Sequence, residues 1–167
     1  MRREIIIALL LCSMILLVGS AKISAFNEKA HENSAYAVIT IDETDQDYLT
    51  LKNARVFAVS GVSDGGKIIP EEIHAFARLF ENENAVDYFY KLELEANNQG
   101  KLYALCGLFY LDYDYYMYLL YTQYCLTDEM ITYAGGCILL ENWPISELIA
   151  DFYNGFWPGM LKKCIAN

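Results

Sequence analysis

Basic residues are scarce in this chain of 167 residues: 12 Lys and Arg stand against 22 Asp and Glu, a formal net charge of −10. With no basic stripe to displace counterions from phosphates, nucleic acid is excluded as a partner, and an electrostatic hold on anionic lipid goes with it. Histidine is scarcer still. The only two are His31, in a polar stretch, and His74, beside Glu71 and Arg78 at helical spacing; a surface charge cluster accounts for the second. No H-E-x-x-H and no C-x-x-C occurs, so a zinc site has no support and no cofactor is implied. Five Cys are too few for a small disulfide scaffold, and 55% hydrophobic against 20% charged residues rules out a disordered chain. The length fits one domain of ordinary size.

What is present starts at the N-terminus. Arg2 and Arg3 precede an apolar run from Ile5 to Val18, and the small residues Gly19, Ser20 and Ala21 follow. A positive start, a short apolar core and small residues make the layout of a secretory signal peptide over residues 1–25, cleaved after Ala21 or Ala25. The run is shorter than the roughly 17–25 residues of a spanning helix, so no stable membrane insertion is expected after cleavage. The expected location is secreted or periplasmic. Losing Arg2, Arg3 and Lys22 against Glu4 makes the remaining chain more acidic, about −12. Four cysteines then remain in a compartment that permits disulfides. Of their three pairings, Cys125 with Cys137 and Cys106 with Cys164 is the expected one, the alternative being buried free thiols.

Residues 26–69 read as a polar leader followed by short strands at Tyr36–Asp42, Tyr48–Leu51 and Arg55–Ser60. From Pro70 the period changes. Pro70-Glu71-Glu72 opens a helix, with acids at the positive end of its dipole. Ile73, Phe76, Ala77 and Phe80 then mark one apolar helical face. Further helices are predicted at about 85–96, 101–111, 113–124 and 146–153; the one at 101–111, apolar nearly all round, is the expected central one. The fold class is therefore mainly α. Its expected form is antiparallel helical hairpins, HEAT-like in style, over residues 70–167, with a small β-rich N-terminal portion.

Four segments, F-A-V-S-G-V-S-D-G-G (57–66), P-E-E (70–72), G-K-L-Y-A-L-C-G-L (100–108) and A-G-G-C-I (134–138), together resemble a family of uncharacterised exported bacterial proteins. The resemblance covers most of the chain beyond the leader and implies a shape; it carries no activity.

The loop 61–72 matches three chemical motifs, each of them incompletely. As a phosphate loop, Gly61-x-x-x-x-Gly66-Lys67 is followed by Ile68 where a hydroxyl should hold Mg²⁺. As a nucleophile elbow, Gly61-Val62-Ser63-Asp64-Gly65 has no later His except His74 on the next helix. As a calcium loop ending at Glu72, it offers Gly61, Ser63 and Gly65 where carboxylates or amides belong. A glycine turn ahead of a helix N-terminus explains all three.

The remaining lead is aromatic. Of 14 Tyr, Tyr113, Tyr116, Tyr118, Tyr121 and Tyr124 lie within one predicted helix. Either they pack a core with wet hydroxyl rims, or they expose an aromatic patch for a protein or glycan partner. The leading expectation is a non-enzymatic interaction protein with an acidic, Tyr-rich surface. The rival is a small secreted glycosidase-like hydrolase on paired carboxylates, for which Asp112, Asp114 and Glu141 lie beside aromatics. Acids at a helix start are equally explained by the helix dipole.

Overall fold

Residues 41–62, 68–136 and 138–166 are described by a computed structural model. The expected leader and all but the last two residues of the strand expected at Tyr36–Asp42 lie outside them. The described part is mainly helical, with seven α-helices and one three-stranded sheet. None of these helices is long and apolar enough to cross a membrane.

The first element overturns an expectation. Tyr48–Leu51 belongs to helix α1 (Gln46–Lys52) and forms no strand. The Asp45 carboxylate accepts the amides of Asp47 and Tyr48 at 2.7 and 3.1 Å, which caps a helix at this point. Tyr48 and Leu51, three residues apart, then fall on its buried face. Strand β1 (Phe57–Val62) follows. Beyond it come α2 (Glu71–Phe80), α3 (Ala85–Glu95) and α4 (Asn98–Leu111). Helix α5 (Tyr113–Leu119) runs on into a π-helical turn at Leu120–Tyr124. The chain ends with β2 (Met130–Gly136), β3 (Ile138–Pro144), α6 (Ile145–Tyr153) and α7 (Phe156–Ile165).

The described sheet is therefore not confined to the N-terminal portion. Its order is β1-β2-β3, with β1 parallel to β2 and β2 antiparallel to β3, so two of its strands come from residues 130–144. Ile131, Thr132 and Tyr133 suit a strand, and Gly135-Gly136 ends it.

Helix α4 is the central element, as its apolar run predicts. Leu102 to Cys106 and Leu108 are all buried. Its start is fixed by Asn97, whose Oδ1 accepts the Gly100 amide at 2.9 Å while its Nδ2 donates to the Ala54 carbonyl at 2.8 Å. Further along, α3 packs against it at Gly107. A Cβ there would stand 2.6 Å from the Phe89 ring, so only glycine lets the two helices meet this closely.

The two edges of the sheet are finished differently. The β1 edge is packed against α2, α4 and α7. At that edge the Tyr103 hydroxyl accepts the Ala58 amide at 2.9 Å and donates to the Ala58 carbonyl at 3.1 Å. Among the described residues, β3 packs mainly against β2 and, at its end, α6.

Cys106, Cys125 and Cys164 are free thiols. The expected Cys106–Cys164 bridge is thus not formed. Cys106 sits in the middle of α4 as a small apolar packing residue, and burial pushes its thiol pKa up. The Cys125 thiol donates to the Tyr121 carbonyl at 3.1 Å. With Cys125 free, the expected Cys125–Cys137 bridge is not formed either; Cys137 itself lies outside the described residues.

Candidate interaction surface

Strand β3 opens at Ile138 with three apolar residues in a row. Ile138, Leu139 and Leu140 are 58%, 61% and 38% exposed. Successive strand residues point to opposite faces, so this run puts apolar surface into water on both sides of one edge strand. Met130, 48% exposed, lies at the other end of the hairpin, opposite Pro144. The apolar stretch stops at a bulge. Ile131 pairs with Trp143 and Tyr133 with Leu140, leaving Glu141 and Asn142 opposite Thr132 alone. Asn142 takes the left-handed conformation, φ 56°, that such an extra residue requires. Beyond the bulge the strand turns inward: Trp143 stacks edge-on against Tyr133, centroids 5.3 Å apart, and its indole N–H donates to Glu147 at 2.7 Å.

The five tyrosines singled out by sequence do not share one surface. Tyr116 and Tyr124 are buried. The Tyr116 hydroxyl donates to the Phe152 carbonyl, which ties α5 to α6. The Tyr124 hydroxyl is buried and has no partner. Tyr118 is half-buried and stacks on Tyr115. Only Tyr113 and Tyr121 stand well out, at 51% and 63%. They lie against different neighbours, Tyr113 on Phe109 and Tyr121 on Tyr153.

The acids of the rival hydrolase reading are spread between structural duties and open solvent. Asp112 caps α5 by accepting the Tyr115 amide at 3.0 Å, and it also accepts the Tyr90 hydroxyl. Asp114 is exposed in the first turn of α5, and Glu141 is exposed on β3. An open depression of about 440 Å³ lies elsewhere, lined by Thr50, Asn53, Arg55, Glu71 and Glu72. Its acids are also engaged: Glu71 holds Arg78 at 2.6 Å, and Glu72 accepts the Arg55 amide at 3.2 Å.

The carboxylate with the most unusual surroundings is one the sequence reading passed over. Glu93 is 2% exposed. Burial raises its pKa, against the opposing charge of Lys101 and a hydrogen bond from Tyr115. The signal was present in the spacing, because Glu93 follows the buried Phe89 by one helical turn. Among the described residues no group of three or more His, Cys, Asp or Glu is arranged to hold a metal ion.

No protein-family model, no curated protein and no solved structure matches this chain.

Proposed function

We propose that this chain is an exported, non-enzymatic interaction protein that holds its partner along the free edge of β3. One observation carries the reading: Ile138, Leu139 and Leu140 keep apolar surface in water on both faces of an edge strand. Natural sheets blunt such edges with charge, proline, bulges or cover, because an open edge recruits another strand. Here the bulge protects Glu141-Asn142 and leaves 138–140 open. A strand edge recognises main chain, so the partner is a protein and not a glycan. Export rests on the layout of residues 1–25, which sends the chain to the periplasm or the medium. The helices are read as short antiparallel hairpins, supported by the packing of α3 on α4 and of α4 on α5; their role is to hold the sheet rigid.

A photo-crosslinking amino acid placed at position 139 in the producing cell tests this. The expected result is a discrete adduct from position 139 and none from position 114, an exposed helix position away from β3. Absence of any adduct at 139, or equal adducts at both positions, would overturn the reading.

A further inference from the structure

We infer that Glu93, Tyr124 and the π-helical turn Leu120–Tyr124 form a pH-sensitive latch, closed while the Glu93 carboxyl is protonated and opened by its ionisation. The latch involves no residue of β3 and stands apart from the docking reading.

Two polar groups are shut away near each other. Glu93 is 2% exposed and Tyr124 3%. Lys101 of α4 faces the Glu93 carboxylate, which also accepts a hydrogen bond from Tyr115 of α5. The Tyr124 hydroxyl, on the π-helical turn, feels the charge of Glu93 first and that of Glu129 next. It has no hydrogen-bond partner. The other charges of this stretch of α3, Lys91 and Glu95, pair with each other at 2.7 Å. Each is two residues from Glu93 and so turned away from it on the helix. Burial raises the Glu93 pKa against the opposing effects of Lys101 and Tyr115, so the closed fold favours the neutral carboxyl.

One movement hydrates both groups. A buried carboxylate and a buried hydroxyl without a partner each cost free energy that water restores. The elements around them do not yield equally. Helices α3 and α4 meet closely at Gly107, and α5 is held by its Asp112 cap and by the bond from Tyr116 to the Phe152 carbonyl. The π-helical turn spans five residues, has no side-chain hydrogen bond at its start, and leads into the exposed Cys125 and Leu126. Turns of this kind are rare and recur at functional sites. It is the segment that gives way, carrying Tyr124 toward water and letting water reach Glu93. The closed state holds the Glu93 proton to higher pH than the open one. Opening is therefore favoured as pH rises above the ordinary carboxyl value of 4.5, and levels off above the raised one.

Amide hydrogen exchange on the full chain, purified as its own cells process it, tests this. Glu93→Gln, which cannot ionise, is the reference: the ratio of wild type to variant at each pH cancels the intrinsic pH dependence of exchange. Peptides covering 120–126 should exchange faster in the wild type from about pH 4.5 upward. The gain should reach up to about tenfold per pH unit, as one released proton requires, and then level off. Peptides covering α2 should match in the two proteins. Lys101→Met should move the rise to higher pH, because the Lys101 charge opposes the raised Glu93 pKa. That variant, read against the α2 peptides, decides the matter even where Glu93→Gln does not fold. Tyr124→Phe should keep the midpoint and lessen the opening at every pH, since its ring gains no hydrogen bond from water. Equal exchange at 120–126 in wild type and Glu93→Gln across the pH range overturns the latch. A loss of protection shared evenly by α2 also overturns it, as does a rise that Lys101→Met leaves in place.

Discussion

The Tyr103 hydroxyl and the backbone of Ala58 exchange two hydrogen bonds, at 2.9 Å into the oxygen and 3.1 Å out of it, inside the core. One phenol thus does for β1 what another strand would do, satisfying the N–H and C=O that face away from β2. It also joins the central helix to the sheet. Burial raises the Tyr103 pKa well above the ordinary phenol value, so the group stays a neutral donor and acceptor at any physiological pH.

Tyr103→Phe leaves both Ala58 groups buried without a partner. An unsatisfied buried polar group costs about 1–3 kcal/mol, so the urea midpoint should fall clearly with an unchanged slope. A midpoint equal to that of the wild type would show that Tyr103 contributes packing alone.

The helical part of this fold was legible because the apolar positions repeat at helical period. Ile73, Phe76 and the run 102–108 mark α2 and the central helix α4, and both are found there. Tyr48 and Leu51 alone do not distinguish a helical from a strand period; the Asp45 cap makes α1 a helix. Strands β2 and β3 went unread because Ile138-Leu139-Leu140 has no polar alternation to give a period of two. That same lack of alternation is what puts apolar surface on both faces of the strand. The tyrosines of α5 looked like one surface because their spacing says nothing of what packs against each ring. Phe152 on α6, far along the chain, decides that Tyr116 is inside.

Glu95 lies between two lysines, with Lys52 and Lys91 each 2.7 Å away, and accepts the Tyr48 hydroxyl at 3.1 Å. Hydrogen bonds from Lys52 and Lys91 hold its pKa down to about 2 from the ordinary 4.5. A depressed carboxylate pKa gives stability that is complete above the ordinary value and lost as pH falls through the folded one. The difference in melting temperature between wild type and Glu95→Gln should therefore be present at neutral pH and shrink between about pH 4.5 and 2. The group is partly exposed, so added salt should reduce that difference at neutral pH. A difference that does not vary with pH would remove the ionic explanation.

Glu93 carries the opposite sign. Its pKa is raised by burial, so the folded state holds the proton to higher pH than the unfolded chain does. Its favourable contribution is complete below the ordinary value of 4.5 and is lost as pH rises through the raised one. Glu93→Gln cannot ionise and retains an oxygen that can accept from Tyr115. Melting curves across pH should show the wild type losing stability relative to this variant above pH 4.5, with the gap levelling off once Glu93 is ionised. Parallel curves would mean that Glu93 has the same pKa folded and unfolded.

Tyr124 provides the counterpart of Tyr103. Both rings are buried, but the Tyr124 hydroxyl meets no partner. Burial raises its pKa, and the charges of Glu93 and Glu129 raise it further, so the hydroxyl stays protonated. A hydroxyl taken from water without a replacement bond costs free energy in the folded state, and removing it while keeping the ring restores part of that cost. Tyr124→Phe should therefore leave stability unchanged or raise it, by up to about 1 kcal/mol, where the same substitution at Tyr103 lowers it. Urea denaturation of the two variants side by side checks this. A loss at Tyr124→Phe comparable to that at Tyr103→Phe would show that the Tyr124 hydroxyl is bonded in solution, for which a buried water bridging to Glu93 would be the first group to look for.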